Sequence, residues 1–292
     1  VQRSGDHHFA VVSVKEYSIS DLSEKNKRQI SKIVSERASV SLSFGTDIEV
    51  LARHQSKRWV PASALLDDND VIGWDDYTIL RKNKMIQPVI ELRPHPAQTA
   101  KRCYNHIHRS YTKLQNLFQS FNLKAACGSN PYARIFLGGH LHVGNQLASF
   151  PLVRRLDGFL TLPFALLLDN GAQKRRKSHG RLGAVRLNSY NGFEYRSLPS
   201  WYHLIPSFYP VIAWFVYLQT RGETLPSPVL TDETITAYYR DDKEKLSAYV
   251  RECEQMLRAT MSDRDYIRFA LPFFDWLNRN SNKEINVVRE RL

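Results

Sequence analysis

Residues 45–50 read GTDIEV. Asp47 and Glu49 lie two residues apart in an apolar, alternating run from Ser39 to Leu51. That period reads as a strand with both carboxylates on one face. Two like charges so placed repel each other unless water or a cation intervenes. A solvated edge strand and a divalent-cation site both satisfy the pattern.

Three further segments repeat the i, i+2 spacing. VIELRP, residues 89–94, presents Glu91 and Arg93 on a strand predicted over Gln87–Arg93, which Pro94 and Pro96 terminate because proline cannot donate to a ladder. GGHLHVG, residues 138–144, presents His140 and His142 on a strand predicted over Ala133–Val143. Two imidazoles behind a pair of glycines suit a metal or a closely approaching ligand. They equally suit two hydrogen-bonded core histidines. GFEYRS, residues 192–197, presents Glu194 and Arg196 on a strand predicted over Gly192–Leu198. Each Glu-x-Arg pair reads as a structural ion pair or as a metal ligand beside a phosphate contact.

These polar residues decide the fold class. Central strands of a doubly wound parallel sheet are near-continuous apolar runs with function at their ends. Here polar and apolar residues alternate within the strands. The pattern predicts an α+β fold with a mostly antiparallel sheet, one face packed on helices and the other lining a polar cleft. A strand is also predicted over His8–Val14. Helices are predicted over Ser20–Arg37, Gln98–Phe121, Phe150–Asp169, Thr231–Leu257 and Ser262–Asn278. Leu65–Asp76 reads as an acidic loop, with Asp75 and Asp76 as secondary candidates. QKRRKSHGRLGAVR, residues 173–186, reads as a basic loop. Its Lys174 and Lys177 read as solvated, whereas Arg181 and Arg186 sit beside glycines, as phosphate-holding residues would. The predicted division is a core over 1–200 and a helical region over 201–292 packed on it.

The 292 residues carry a formal net charge of +12. Such a balance favours a polyanionic partner: nucleotide, phosphate or nucleic acid. Cys103, Cys127 and Cys253 are odd in number and widely spaced, which excludes a disulfide framework and a zinc-finger pattern. Val1–Asp6 lacks the apolar core of a signal peptide. Pro206 and Pro210 interrupt the apolar stretch Leu204–Leu218, which is shorter than the ~20 residues of a span. A cytoplasmic protein without a membrane partner is expected.

The ordered set GTDIEV, IELRP, GGHLHVG, basic loop and GFEYRS resembles the carboxylate–amine ligases of the glutamine synthetase superfamily. It is most similar to the phage- and bacterial-type amidoligases (COOH–NH2 ligases), with gamma-glutamylcysteine ligases more distant. The likeness runs from about Gly45 to Pro199. It implies a glutamine-synthetase-like sheet curved around a cleft, with ATP and magnesium (or manganese) as cofactors. By the same resemblance Asp47, Glu49, Glu91, His140 and Glu194 are metal ligands. His142, Arg181, Arg186 and Arg196 hold the nucleotide, and Arg93, Arg186 and Arg196 act in catalysis. Many relatives carry a glutamate where this chain has the shorter Asp47. The implied reaction activates a small-molecule or peptide carboxylate as an acyl phosphate, which an amine then captures. A homo-oligomer is compatible with the helical C-terminal region. Two other readings remain open: a metal-dependent hydrolase built on His140 and His142, and a basic nucleic-acid-binding module.

Overall fold

The computed structural model describes residues 2–4, 8–10, 23, 24, 27, 41–68, 71–81, 83–132, 135–281 and 283. Two compact units divide the chain, Val1–Ser41 and Leu42–Leu292. In the first, strands β1 (Gln2–Ser4) and β2 (His8–Ala10) pair antiparallel, with Arg3 opposite Phe9. The predicted strand continues through Val11–Val14, outside the described residues. The helix predicted over Ser20–Arg37 also lies largely outside them. Its Glu24 and Lys27 are helical and form an ion pair of 2.8 Å.

The second unit is built on β3 (Ser43–His54). Short β4 (Trp59–Val60) pairs with its end, and β5 (Ile72–Trp74) follows. Strands β6 (Ile79–Arg81) and β7 (Lys84–Ile86) make a separate hairpin. Next come β8 (Val89–Leu92), β9 (Leu123–Ala126), β10 (Gly139–Gly144), β11 (Val185–Asn188) and β12 (Gly192–Tyr195). The main sheet runs β11-β12-β10-β3-β8-β5, with β4 and β9 also pairing with β3. Every pairing in it is antiparallel, as the alternation predicts.

One sheet face is apolar. Phe44, Ile48, Val50, Ile90, Leu92, Leu141, Val143 and Phe193 are buried in a common core. Helix α1 (Ala100–Ser120) covers it with Cys103, Ile107, Leu114 and Phe118, which recur at helical spacing. Thr99 caps this helix through the Arg102 amide.

Prolines set where the helices break. The helix predicted over Phe150–Asp169 is α2 (Phe150–Leu156), then a widened π turn (Asp157–Thr161), then a short turn (Leu162–Phe164). Pro163 has no N–H to donate to the Phe159 carbonyl four residues back. The buried Trp214 indole donates to that carbonyl instead, at 2.8 Å. Just before the next long helix the Tyr104 hydroxyl donates to the Pro206 carbonyl at 2.9 Å. Helices α3 (Ala172–Arg176), α4 (Tyr209–Arg221), α5 (Asp232–Arg240), α6 (Lys243–Thr260) and α7 (Leu271–Asn280) follow, the helical turn Asp263–Asp265 and the π turn Tyr266–Ala270 leading into α7. The single helix predicted over Thr231–Leu257 is broken at Asp241, in the left-handed conformation at φ 58°, and Asp242 caps α6. No helix among the described residues is long and apolar enough to cross a membrane.

Trp214→Phe therefore strands a buried carbonyl and should lower unfolding stability by about 1–3 kcal/mol, beyond any loss of packing. Urea denaturation measures it. Adding Pro163→Ala to that variant restores a backbone donor and should recover part of the loss. No recovery would show that the indole bond does not replace the proline's missing one.

Candidate functional site

The register sets the site. Across the sheet His142 lies opposite Glu194, His140 opposite Asp47, and Glu49 opposite Glu91. Residues directly opposite share a face. All four pairs predicted from the sequence therefore project from one side. Gly73 is opposite Glu91, so Asp75, two residues further on, continues the same face beyond β5. Sequence reading gave Asp75 only a secondary place. The signal was there: the i, i+2 rule applied to Gly73, once Ile72–Trp74 is recognised as a strand. Its pairing with the edge of β8, not its own composition, makes it one.

At one end of the face His140 is the centre. Its Nδ1 is 2.8 Å from Asp47 Oδ1 and 3.0 Å from Glu194 Oε1, and its Nε2 is 3.9 Å from Glu49 Oε1. Burial works against its charge, but the surrounding carboxylates prevail and raise its pKa to about 10. The imidazolium in turn holds Asp47 well below the ordinary carboxylate range, against the opposing effect of burial. His142 Nε2 meets the other Asp47 oxygen at 3.0 Å. The two histidines thus divide Asp47 between them and do not aim at one point. Two guanidiniums hold Glu194: Arg186 Nε at 2.7 Å from Oε2 and Arg196 Nη1 at 2.7 Å from Oε1.

The other end lacks such compensation. Glu49, Asp75 and Glu91 gather with one carboxylate oxygen each within 4.8 Å of the others. Burial, then the charges of Asp47, Asp75 and Glu49, push Glu91 up to about 8. Glu49 is raised as well, chiefly by burial. Arg93 stays at 3.7 Å from Glu91 and spends its shorter bond, 2.6 Å, on Asp68. It reaches Asp68 by crossing Gly73, where any Cβ would collide with the guanidinium. Gly138 has the same role under the His140 ring, and its amide donates to Glu49 Oε2 at 2.7 Å.

Two sets of donors suit a metal. Glu49, Asp75 and Glu91 form one; Asp47, His142 and Glu194 form the other, again within 4.8 Å. Oxygen-rich sets with one imidazole fit hard divalent cations such as magnesium or manganese. The residues fit for a physical reason too. Carboxylates facing each other across β3 and β8 are destabilising without a cation between them. His140, expected as a ligand, lies between Asp47 and Glu194, and His142, expected beside the nucleotide, lies in the second donor set.

The basic loop divides. Arg186 reaches the site, whereas the Arg181 guanidinium donates to the Lys177 carbonyl at 3.1 Å. Lys174 and Lys177 are exposed as predicted. Arg176 is buried on the Tyr238 carbonyl and Asp241. Arg175, also buried, donates to the carbonyls of Ser197 and Arg196 at 3.0 and 3.1 Å, so it fixes the chain that carries Arg196. Neither Arg175 nor Asp68 was singled out from the sequence. Beside Asp47 and His142 opens a cavity of about 610 Å³, bounded by Arg93, Pro94 to Pro96, Asn188 and Tyr190.

The profile of the family described as phage phiEco32-like COOH.NH2 ligase-type 2 matches residues 44–290. No curated protein matches the chain. Among solved structures, one described as a novel glutamine synthase homolog is 14% identical with a TM-score of 0.42, covering 86% of this chain and 68% of the other. Ligand-free GmaS is 11% identical with a TM-score of 0.38, covering 82% and 75%. Plasmodium falciparum glutamine synthetase is 10% identical with a TM-score of 0.36, covering 82% and 77%.

The charges predict a pH dependence. Folded Glu91 keeps its proton to about 8, while an unfolded glutamate loses it near ~4.3. Folded His140 keeps its proton to about 10, against ~6.5 unfolded. In both windows the folded state binds more protons, so metal-free stability falls as pH rises. Thermal melts in EDTA from about pH 5 to pH 8 should show a shallower decline for Glu91→Gln than for wild type. Equal slopes would contradict the raised Glu91 carboxyl.

Proposed function

The chain belongs to the phage phiEco32-like COOH.NH2 ligase-type 2 family, and we propose that it joins a carboxylate to an amine at the expense of ATP, with divalent metal ions held on its polar sheet face. One observation carries this reading: two three-donor sets on a single face, near Arg93, Arg186 and Arg196, with a cavity large enough for substrates beside Asp47, His142 and Arg93.

Glu49, Asp75 and Glu91 would hold one ion, and Asp47, His142 and Glu194 a second. Bound there, divalent ions would neutralise the charge of a triphosphate. The rest is done by the chain. His140 positions Asp47 and Glu194 through its charge. Arg186 and Arg196, anchored on Glu194, present guanidinium edges to phosphoryl oxygens. Arg93, steadied by Asp68, reaches the cavity and suits either the phosphate or the substrate carboxylate.

In this reading a carboxylate oxygen attacks the γ-phosphorus and ADP departs. The amine nitrogen then attacks the acyl carbon and phosphate departs. Phosphoryl transfer needs in-line placement and neutralised oxygens more than covalent help. That accords with a site formed of carboxylates, imidazoles and guanidiniums. The reading also accords with a cytoplasmic location and small-molecule or peptide substrates.

A panel of amino acids, peptides and amines with Mg·ATP should yield ADP only when both carboxylate and amine are present. With an 18O-labelled carboxylate, label should appear in the released phosphate, because the bridging oxygen leaves with phosphorus. Unlabelled phosphate accompanying amide formation would exclude the acyl phosphate. Separately, Glu49→Gln and His142→Ala should each lower kcat by about a hundredfold or more while the fold persists, since each removes a donor from one set. Near-normal turnover in either variant would remove that set from the mechanism.

A further inference from the structure

A second cavity, of about 330 Å³, shares no lining residue with the first. One wall is α4, which supplies Tyr217 and Arg221. The other is the turn Asp263–Ala270, which supplies Arg264, Asp265, Arg268 and Phe269. Three guanidiniums thus line it against one carboxylate.

Its construction favours that crowding. Pro272, in the first turn of α7, cannot donate to the Arg268 carbonyl, and the turn Tyr266–Ala270 is widened to π geometry. Arg264 and Arg268, four residues apart, both border the same space. Asp265 is tied to the opposite wall, accepting from the Tyr217 hydroxyl at 3.3 Å. The floor is aromatic: the Tyr217 and Phe269 rings are 4.7 Å apart, and Arg268 lies 5.2 Å from the Phe269 centroid. Ala100 and Ala213 keep the interior open.

We propose that this cavity binds a phosphate monoester carried on a planar ring. Planar guanidiniums match a phosphate dianion through paired N–H donors. The aromatic floor and small side chains accept the ring, and Asp265 accepts from hydroxyl or amino groups beside it. The volume falls in the range of small-ligand sites. This site is independent of the ligase reading.

Calorimetric titration of the full chain in EDTA tests it, because the sheet-face site is then without metal. Phenyl phosphate should bind at one saturable site, and inorganic phosphate at least about fivefold more weakly. The exposed double variant Arg264→Ser/Arg268→Ser should weaken phenyl phosphate binding by about tenfold or more. Arg221→Ser, on the opposite wall, should weaken it independently, with unchanged melting temperature confirming the fold of each variant. Arg93→Ala should leave it unchanged. The proposal is overturned by absence of saturation up to about 10 mM, by equal affinity for the two probes, or by affinity that follows Arg93 and ignores the cavity arginines.

Discussion

His140 sits between Asp47 and Glu194, on the middle one of three adjacent strands, and the rest of the polar face is arranged around its charge. Packing acidic groups on one side of a sheet is unfavourable because each strand brings its neighbour's charge within a few ångströms. The imidazolium and the two guanidiniums on Glu194 resolve that conflict at one end. At the other end Glu49, Asp75 and Glu91 remain undercompensated. The face is thus asymmetric: one half is held in place by fixed cations, and the other half gains most from a cation arriving.

Glycines make the arrangement sterically feasible. Gly138 and Gly73 leave room for the His140 ring and the Arg93 side chain to lie flat on the sheet. The apolar face supplies the rigidity that such a crowded polar face requires, since its residues join one continuous core with α1 and α4. Arg175 extends this support from beneath, gripping the carbonyls of Arg196 and Ser197 with a fully buried guanidinium.

Much of this was legible in the sequence, for a definite reason. A two-residue period is a local property, so the strands bearing Asp47, Glu91, His140 and Glu194 could be read directly, and with them the antiparallel character of the sheet. Partnership between strands is not local. The sequence therefore could not foresee that Asp75 joins Glu49 and Glu91, that Asp68 takes Arg93, or that Arg181 turns back to Lys177 while Arg186 reaches Glu194. The break near Pro163 was missed because apolar residues continue through it; that at Asp241 was missed although the charged run Arg240–Lys245 interrupts the apolar spacing there.

The central claim is that the two donor sets hold two divalent ions. Crystals soaked in manganese and measured for anomalous scattering test it most directly. Two peaks are expected, one among Glu49, Asp75 and Glu91 and one among Asp47, His142 and Glu194. A sheet face that stays free of anomalous density at saturating manganese, or a single peak coordinated by His140, would contradict the account.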